Sequence, residues 1–321
     1  MRMLARSVLL LATALLPVSA QAQAWPAKPI RIILQSPPGG TSDLIARLLA
    51  NPLQGTLGQP VVVESRPGSF GIPASIAVAS SGPEGYTYGL FGSSLASNET
   101  TQKNLPFDTL KDLTPVALVV KTPNMISVDP ASPITSLQEL IAAAKAKPGG
   151  LSYGTPGPGL TQHFTGEWLR YRAGIEMVHI PFKGAGPAMT AAMGGQIPVV
   201  VTVAGSAVSQ IQGGKLRAIA VSGADRLPLF PNVPTVAEQG YKDFSIIEWF
   251  GLVGAANIPA EAIRRMNAEV NRALRLPAVV ERLQPLGFEM GAQTPEEFRA
   301  FVDSEIRNLR TIIRTAKIST D

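Results

Sequence analysis

The sequence predicts two α/β domains joined by a hinge with two crossover segments, and three observations carry that prediction. Units of strand, glycine turn and helix recur along the chain. Two of them, opening at Ile30 and Leu151, set glycine-rich turns at the carboxyl ends of short apolar strands. Two longer apolar segments, 114–128 and 248–253, read as strands that leave the first domain and return to it. The expected boundaries are a leader over 1–24, a first domain over 25–124 and 246–321, and a second domain over 125–245.

The leader stands apart from the fold. Arg2 and Arg6 make a positive start, residues 7–18 are apolar, and Ala22-Gln23-Ala24 is a small-x-small cleavage site before Trp25. The apolar run is short, contains Pro17 and precedes no stop-transfer pattern, so it reads as an export signal rather than an anchor. A periplasmic chain cleaved after Ala24 is the expectation.

The mature chain opens on Ile30 to Leu34, a β-branched run closed by Pro37-Pro38-Gly39-Gly40. Leu44, Ile45, Leu48 and Leu49 then fall at helical spacing, with Ser42 or Asp43 where an N-cap belongs. Such a turn leaves backbone N–H groups uncovered at the positive end of a helix, and glycines remove the side chains that would block a ligand. Carboxylates bind at such places. By itself the stretch reads equally well as a tight strand-to-helix connection.

A second strand at 61–64 leads to Arg66-Pro67-Gly68-Ser69-Phe70-Gly71 and an Ala-rich helix over 72–80. A third strand over 86–91 empties into Gly92-Ser93-Ser94. This alternation is the pattern of a parallel sheet, whose ligands sit at the carboxyl ends of the strands. The second domain begins with a helix over 137–146. Strand 151–153 follows, then the turn Gly154-Thr155-Pro156-Gly157-Pro158-Gly159 and a helix over 160–173. Strand 177–180 ends in Pro181-Phe182-Lys183-Gly184. A helix over 186–193, strand 197–203, a helix over 206–212 and strand 218–221 complete it. Helices over 260–275 and 295–316 close the chain, with 278–285 between them. Facing glycine turns on two hinged domains suggest a cleft that closes around one ligand.

Composition narrows the partners. The chain has 28 Lys and Arg against 23 Asp and Glu, scattered rather than clustered, which argues against nucleic acid. It has no cysteine, which removes disulfides, thiolate nucleophiles and thiolate metal sites. Two histidines in different elements make no metal pair, and no metal or cofactor is expected. Gly157-x-Gly159 and Gly184-x-Gly186 lack the third glycine of a dinucleotide fingerprint, since Gln162 and Met189 stand there. With no phosphate loop and no nucleophile elbow either, the chain is not expected to be an enzyme.

The residues also resemble a known family, the substrate-binding proteins of tripartite tricarboxylate transporters, or Bug receptors. The resemblance runs from Trp25-Pro26-Ala27-Lys28-Pro29-Ile30-Arg31 through Pro38-Gly39-Gly40-Thr41-Ser42-Asp43 and Leu57-Gly58-Gln59-Pro60-Val61-Val62-Val63-Glu64. It continues in Gly85-Tyr86-Thr87, Leu105-Pro106-Phe107-Asp108, Tyr153-Gly154-Thr155, Pro181-Phe182-Lys183-Gly184, Gly214-Lys215-Leu216-Arg217-Ala218 and Val233-Pro234-Thr235.

The resemblance implies a two-lobed type II periplasmic binding protein. It would be a monomer that captures a small carboxylate and delivers it to the membrane subunits of the transporter, or presents it to a sensor kinase. It places the ligand against Gly39, Gly40, Thr41 and Asp43 of the first lobe, with Ser36 beside them as a further candidate, and Thr155, Gly159, Thr161 and His163 of the second. Phe70, Ser93, Leu160, Lys183, Gly184 and Thr202 line the same cleft by position. Plainer roles stand beside these: Asp43 as a helix cap, His163 as a structural hydrogen-bonder, Lys183 as solvated surface. His179 reads as a strand residue without a role, and Trp25, Trp168 and Trp249 as packing.

Leu160 stands where many relatives carry serine, Phe70 where a glycine is frequent, and Val201-Thr202 where many carry Phe-Asp. With no acidic residue expected in the pocket to meet an ammonium, a dicarboxylate or an aromatic acid is favoured over an amino acid.

Overall fold

A computed structural model describes residues 25–319, so the expected leader lies outside the described residues. The order is β1 (Ile30–Leu34), α1 (Thr41–Leu57), β2 (Val61–Ser65), a 3-10 turn (Ser69–Gly71), α2 (Ile72–Ala79), β3 (Thr87–Gly92) and α3 (Ser94–Thr101). The long β4 (Leu113–Val128) follows, then α4 (Leu137–Ala146), β5 (Ser152–Thr155), α5 (Thr161–Ala173), β6 (Val178–Pro181) and α6 (Ala185–Met193). Next come β7 (Val199–Val203), α7 (Ala204–Gln212), β8 (Arg217–Val221), β9 (Ile247–Ala255), α8 (Ala260–Ala273) and α9 (Pro277–Leu283). A 3-10 turn (Gln284–Leu286), β10 (Glu289–Met290) and α10 (Pro295–Thr315) close the chain.

The strands form one curled sheet in the order β2-β1-β3-β9-β4-β7-β5-β6, with β8 and β10 also pairing β4. Strands β1, β2 and β3 are parallel, as are β5, β6 and β7. Each half-sheet meets one crossing strand antiparallel, β9 beside β3 and β4 beside β7. β4 and β9 pair antiparallel from Leu113↔Ala255 to Pro123↔Ile247, and the far end of β4 lies between β7 and β8. A single strand therefore belongs to both lobes. Register shifts occur between Pro115 and Ala117 and between Leu118 and Val120. Pro115 has no N–H to give to the ladder, and a bulge accommodates that loss.

Burial explains each element. In β1 only Arg31 is exposed, and its guanidinium reaches Glu64 of β2 at 2.5 Å. α10 buries Phe298, Val302, Ile306, Leu309, Ile312 and Ile313, the spacing of one helical face. It starts at a capping box: Thr294 accepts from the Glu297 N–H at 3.2 Å, and the Glu297 carboxylate accepts from the Thr294 N–H at 2.9 Å. Trp249 of β9 is fully buried under this helix, edge-on to Phe298 and Phe301 at 5.8 and 5.7 Å. One apolar core runs through both lobes, joining Phe91, Trp249 and Phe298 to Tyr153, Phe164 and Val199. Among the described residues no helix is long and apolar enough to cross a membrane.

The expected elements recur with ends displaced by at most three residues, the usual scatter of helix and strand termini. α3 and β10 were not foreseen. Ser94–Thr101 offers only Leu95 and Ala96 to the core, too few for a helical period, and β10 has just two residues.

Gly251 gives the sharpest test of this packing, because a Cβ there would lie 2.1 Å from Phe298 Cζ. Gly251→Ala is expected to destabilise the protein by about 1–3 kcal/mol through overpacking, read as a lower urea midpoint. An unchanged midpoint would mean that α10 does not seat on β9 in this way.

Candidate functional site

Five helices point their N-termini at one cavity of about 270 Å³ between the lobes. From the first lobe come α1, through Thr41 and Ser42, and α3, through Ser93 and Ser94. From the second come α5 through Leu160 and Gln162, α6 through Ala185, and α7 through Val203 and Ser206. Gln35 and Ser36 add the end of β1, Pro156 the loop after β5, and Phe250 and Phe288 apolar wall. Thr122 and Glu248, register partners on β4 and β9, form the floor where the strands cross. No Lys, Arg or His lines the cavity among the described residues. What it offers an anion is the backbone N–H groups and dipoles of these helix starts.

The α1 turn is built by backbone conformation. Gly39 takes a left-handed φ of +84°, and Gly40 is the N-cap with φ −79° and no side-chain cap. The expected cap at Ser42 or Asp43 is therefore corrected. Asp43 sits in the first turn and reaches back to accept the Gly39 N–H at 3.1 Å. Arg47 donates to the same carboxylate at 2.9 Å. The Arg47 bond, followed by the Gly39 bond, lowers the Asp43 pKa below the ordinary carboxylate value. This group faces a separate surface pocket with Leu44 and Arg282. The Ser36 and Ser42 hydroxyls bond to each other on the cavity side.

Glu248 is the group that sequence reading missed. Its Oε1 accepts from the Ser93 N–H at 3.0 Å and the Ser93 hydroxyl at 2.6 Å, and its Oε2 accepts from the Thr161 hydroxyl at 3.1 Å. One carboxylate on the crossing strand thus joins the start of α3 in one lobe to the start of α5 in the other. Burial raises its pKa, against the pull of these donors. Burial, together with the Glu248 charge, also raises Glu305 of α10 to about 7.

The polar cluster continues behind Glu248. Gln162 donates to Thr161 and Asn124 at 3.0 and 2.9 Å, and Asn124 donates to Thr165 at 2.9 Å. The expectation of a pocket without an acidic residue is overturned, because the β9 crossing brings Glu248 where position 202 does not reach. A charged residue inside an otherwise apolar crossing segment was the available signal.

Of the residues named from sequence, Ser36, Thr41, Ser93 and Leu160 line the cavity. Thr161 meets it through Glu248, and Gly39, Gly40 and Gly184 shape turns beside it. Thr202 is buried in β7 and its hydroxyl has no partner among the described residues; its neighbour Val203 lines the wall instead. Lys183 is exposed and off the cavity. Phe70, held at a φ of 55°, does not line the cavity, and its ring lies 3.2 Å from where a Cβ on Gly159 would be. It is a contact between the lobes.

Thr155, Gly159 and His163 form a structural group beside the cavity. The His163 Nδ1 accepts from the Gly159 N–H at 3.2 Å and its ring stacks on His179 at 4.1 Å. His179 Nε2 meets the Thr155 hydroxyl at 2.7 Å, so His179 has a role that its place in the sequence did not show. Burial, then the neighbouring His179, lowers the His163 pKa to about 4, and burial lowers that of His179. Among the described residues no group of three or more His, Asp or Glu is placed to hold a metal.

The pH dependence of this pair follows from the depressed values. The unfolded histidine takes a proton near 6.5 and the folded one only near 4, so stability present above 6.5 is lost as pH falls toward 4. His163→Asn keeps an acceptor for Gly159 and removes the proton site. The parent is expected to lose on the order of 2 kcal/mol more than this variant across that window in urea unfolding. Parallel pH profiles would contradict the neutral, buried histidine.

Comparisons with known proteins bear on the whole chain. The sequence profile of the family described as "Tripartite tricarboxylate transporter family receptor" matches residues 45–318. Protein BugT of Bordetella pertussis is 36% identical over 315 residues, covering 98% of this chain and 97% of the relative. A solved R. palustris protein with adipate has a TM-score of 0.82 at 28% identity, covering 92% of this chain and 99% of that one. MatC from Rhodopseudomonas palustris with bound malate has a TM-score of 0.78 at 27% identity, covering 90% and 99%. A two-lobed α/β chain whose helix N-termini converge between the lobes matches these receptors along nearly its full length, and it belongs to the tripartite tricarboxylate transporter receptor family of periplasmic solute-binding proteins.

Proposed function

We propose that this receptor captures a small dicarboxylate in the cavity between its lobes and delivers it to the membrane subunits of a tripartite tricarboxylate-type transporter. The observation that carries the reading is the convergence of five helix N-termini from both lobes on a cavity with no cationic side chain. Each N-terminus leaves backbone N–H groups unpaired in its first turn, and a carboxylate accepts several of them at once. The relatives with adipate and malate support a diacid.

Two anionic ends suit the arrangement better than one. One end sits at the α1 and α3 N-termini, the other at those of α5, α6 and α7. Ser36, Thr41 and Ser206 hydroxyls add donors, while Leu160, Phe250 and Phe288 cover the chain between the ends. A ligand touching both lobes stabilises the closed form by its differential affinity for it, and the membrane partner then meets the closed surface.

In a thermal-shift series on residues 25–321, adipate or malate at 100 times its dissociation constant is expected to add about 2.7 kcal/mol, a rise of a few degrees. Gly40→Phe is expected to abolish the shift while leaving the ligand-free melting point within a few degrees. The backbone at Gly40 accepts a side chain, and a Cβ there meets Ser36 Oγ at 3.2 Å, the Pro37 carbonyl at 3.4 Å and Ser36 Cβ at 3.7 Å. Shifts with amino acids and none with diacids would contradict the ligand class. An undiminished shift in the variant would remove α1 from the site.

A further inference from the structure

Glu248 is the one ionisable side chain on the cavity wall among the described residues. An anion entering the cleft therefore meets a carboxylate and no cationic side chain. We propose that anion capture in this cleft takes up one proton from solvent, carried by the Glu248 carboxyl. The proposal rests on the carboxylate reading of the cleft.

The geometry shows what the proton does. Ionised, Glu248 uses Oε1 for two donors on Ser93 and Oε2 for one on Thr161, so it occupies donors of both lobes itself. A ligand carboxylate beside it adds like charge in a confined, partly dehydrated space, where repulsion is far stronger than in water. Protonation at Oε2 removes the repulsion and turns that oxygen from an acceptor into an O–H donor aimed at the ligand. Thr161 is then released to donate to the same anion. The proton thus converts a bond between the lobes into a bond from Glu248 to the ligand, with Ser93 still holding Oε1. Burial has already raised the Glu248 pKa, which lowers the cost of this step.

The charged groups on the surrounding elements do not supply the missing cation. On β4, Lys121 is paired with Glu289 at 2.9 Å. On α1, Arg47 is paired with Asp43 at 2.9 Å. On α3, Glu99 accepts the Thr109 N–H at 2.7 Å. On α5, His163 is neutral above about pH 4. On α10, Glu305 adds a second carboxyl, raised in part by Glu248, so the two titrate as a linked pair.

The experiment is calorimetry of adipate and of malate binding to residues 25–321 at pH 7, in two buffers of different ionisation enthalpy, with Glu248→Gln and Glu305→Gln alongside. The parent is expected to take up close to one proton, Glu305→Gln to keep most of that uptake, and Glu248→Gln to lose it. Parent affinity should weaken by up to about tenfold per pH unit on the alkaline side, and that of Glu248→Gln should stay flat. Binding without uptake, or uptake retained in Glu248→Gln, would overturn the proposal. Carboxyl-labelled glutamate followed by NMR in the ligand-free protein gives a second reading. A Glu248 that titrates at or below the ordinary glutamate value overturns the proposal whatever binds. A raised titration with no heat from either diacid supports the proton site and counts against the dicarboxylate reading alone.

Discussion

The antiparallel pairing of β4 with β9 is the constraint on which the rest of the molecule depends. These strands carry the chain from one lobe to the other and back, and their ladder runs unbroken in direction from Leu113↔Ala255 to Pro123↔Ile247. Their crossing fixes how far apart the two parallel half-sheets stand. It also fixes which strand ends, and so which helix starts, face each other. Trp249, buried against Phe298 and Phe301, ties the crossing to α10, and the neighbouring Glu248 faces the other way into the cleft. Adjacent positions in a strand point to opposite faces, so one residue anchors the seam and the next reaches the site.

From that constraint the site's chemistry follows. Helices that start at the carboxyl ends of parallel strands aim their dipoles at the space beyond the sheet edge, and two half-sheets facing each other aim them at one space. The cleft offers helix N-termini to an anion with no positive side chain on its wall among the described residues. That suits a receptor, which has to release its ligand: backbone donors spread over two lobes lose their grip when the lobes part, whereas a fixed Arg would hold on from one side. The Thr161 hydroxyl bond to Glu248 spans the cleft, and the Phe70 ring packs close to Gly159 across it.

The sequence made the fold legible because its signals are local. Isoleucine-rich β1, the proline and glycine stops after it and the amphipathic face of α10 each report their own element. The glycine turns were legible as a site for the same reason, since a turn before a helix announces uncovered N–H groups. What stayed hidden depends on pairing between distant segments. Glu248 reads as one charged residue at the head of an apolar strand, and only its register with Thr122 brings it to the cavity. Phe288 and Ser206 likewise enter through segments outside the glycine turns that mark the site in the sequence. Asp43 shows the converse: its position next to the turn was right, but its carboxylate is used by Gly39 and Arg47.

A crystal structure of residues 25–321 grown with adipate would show directly whether the cleft holds the ligand. Density for the diacid is expected between the lobes, one carboxylate at the α1 and α3 N-termini and the other at the α5 N-terminus. Density in the larger apolar groove beside Phe288 and Leu229, with the cleft holding only solvent, would contradict it.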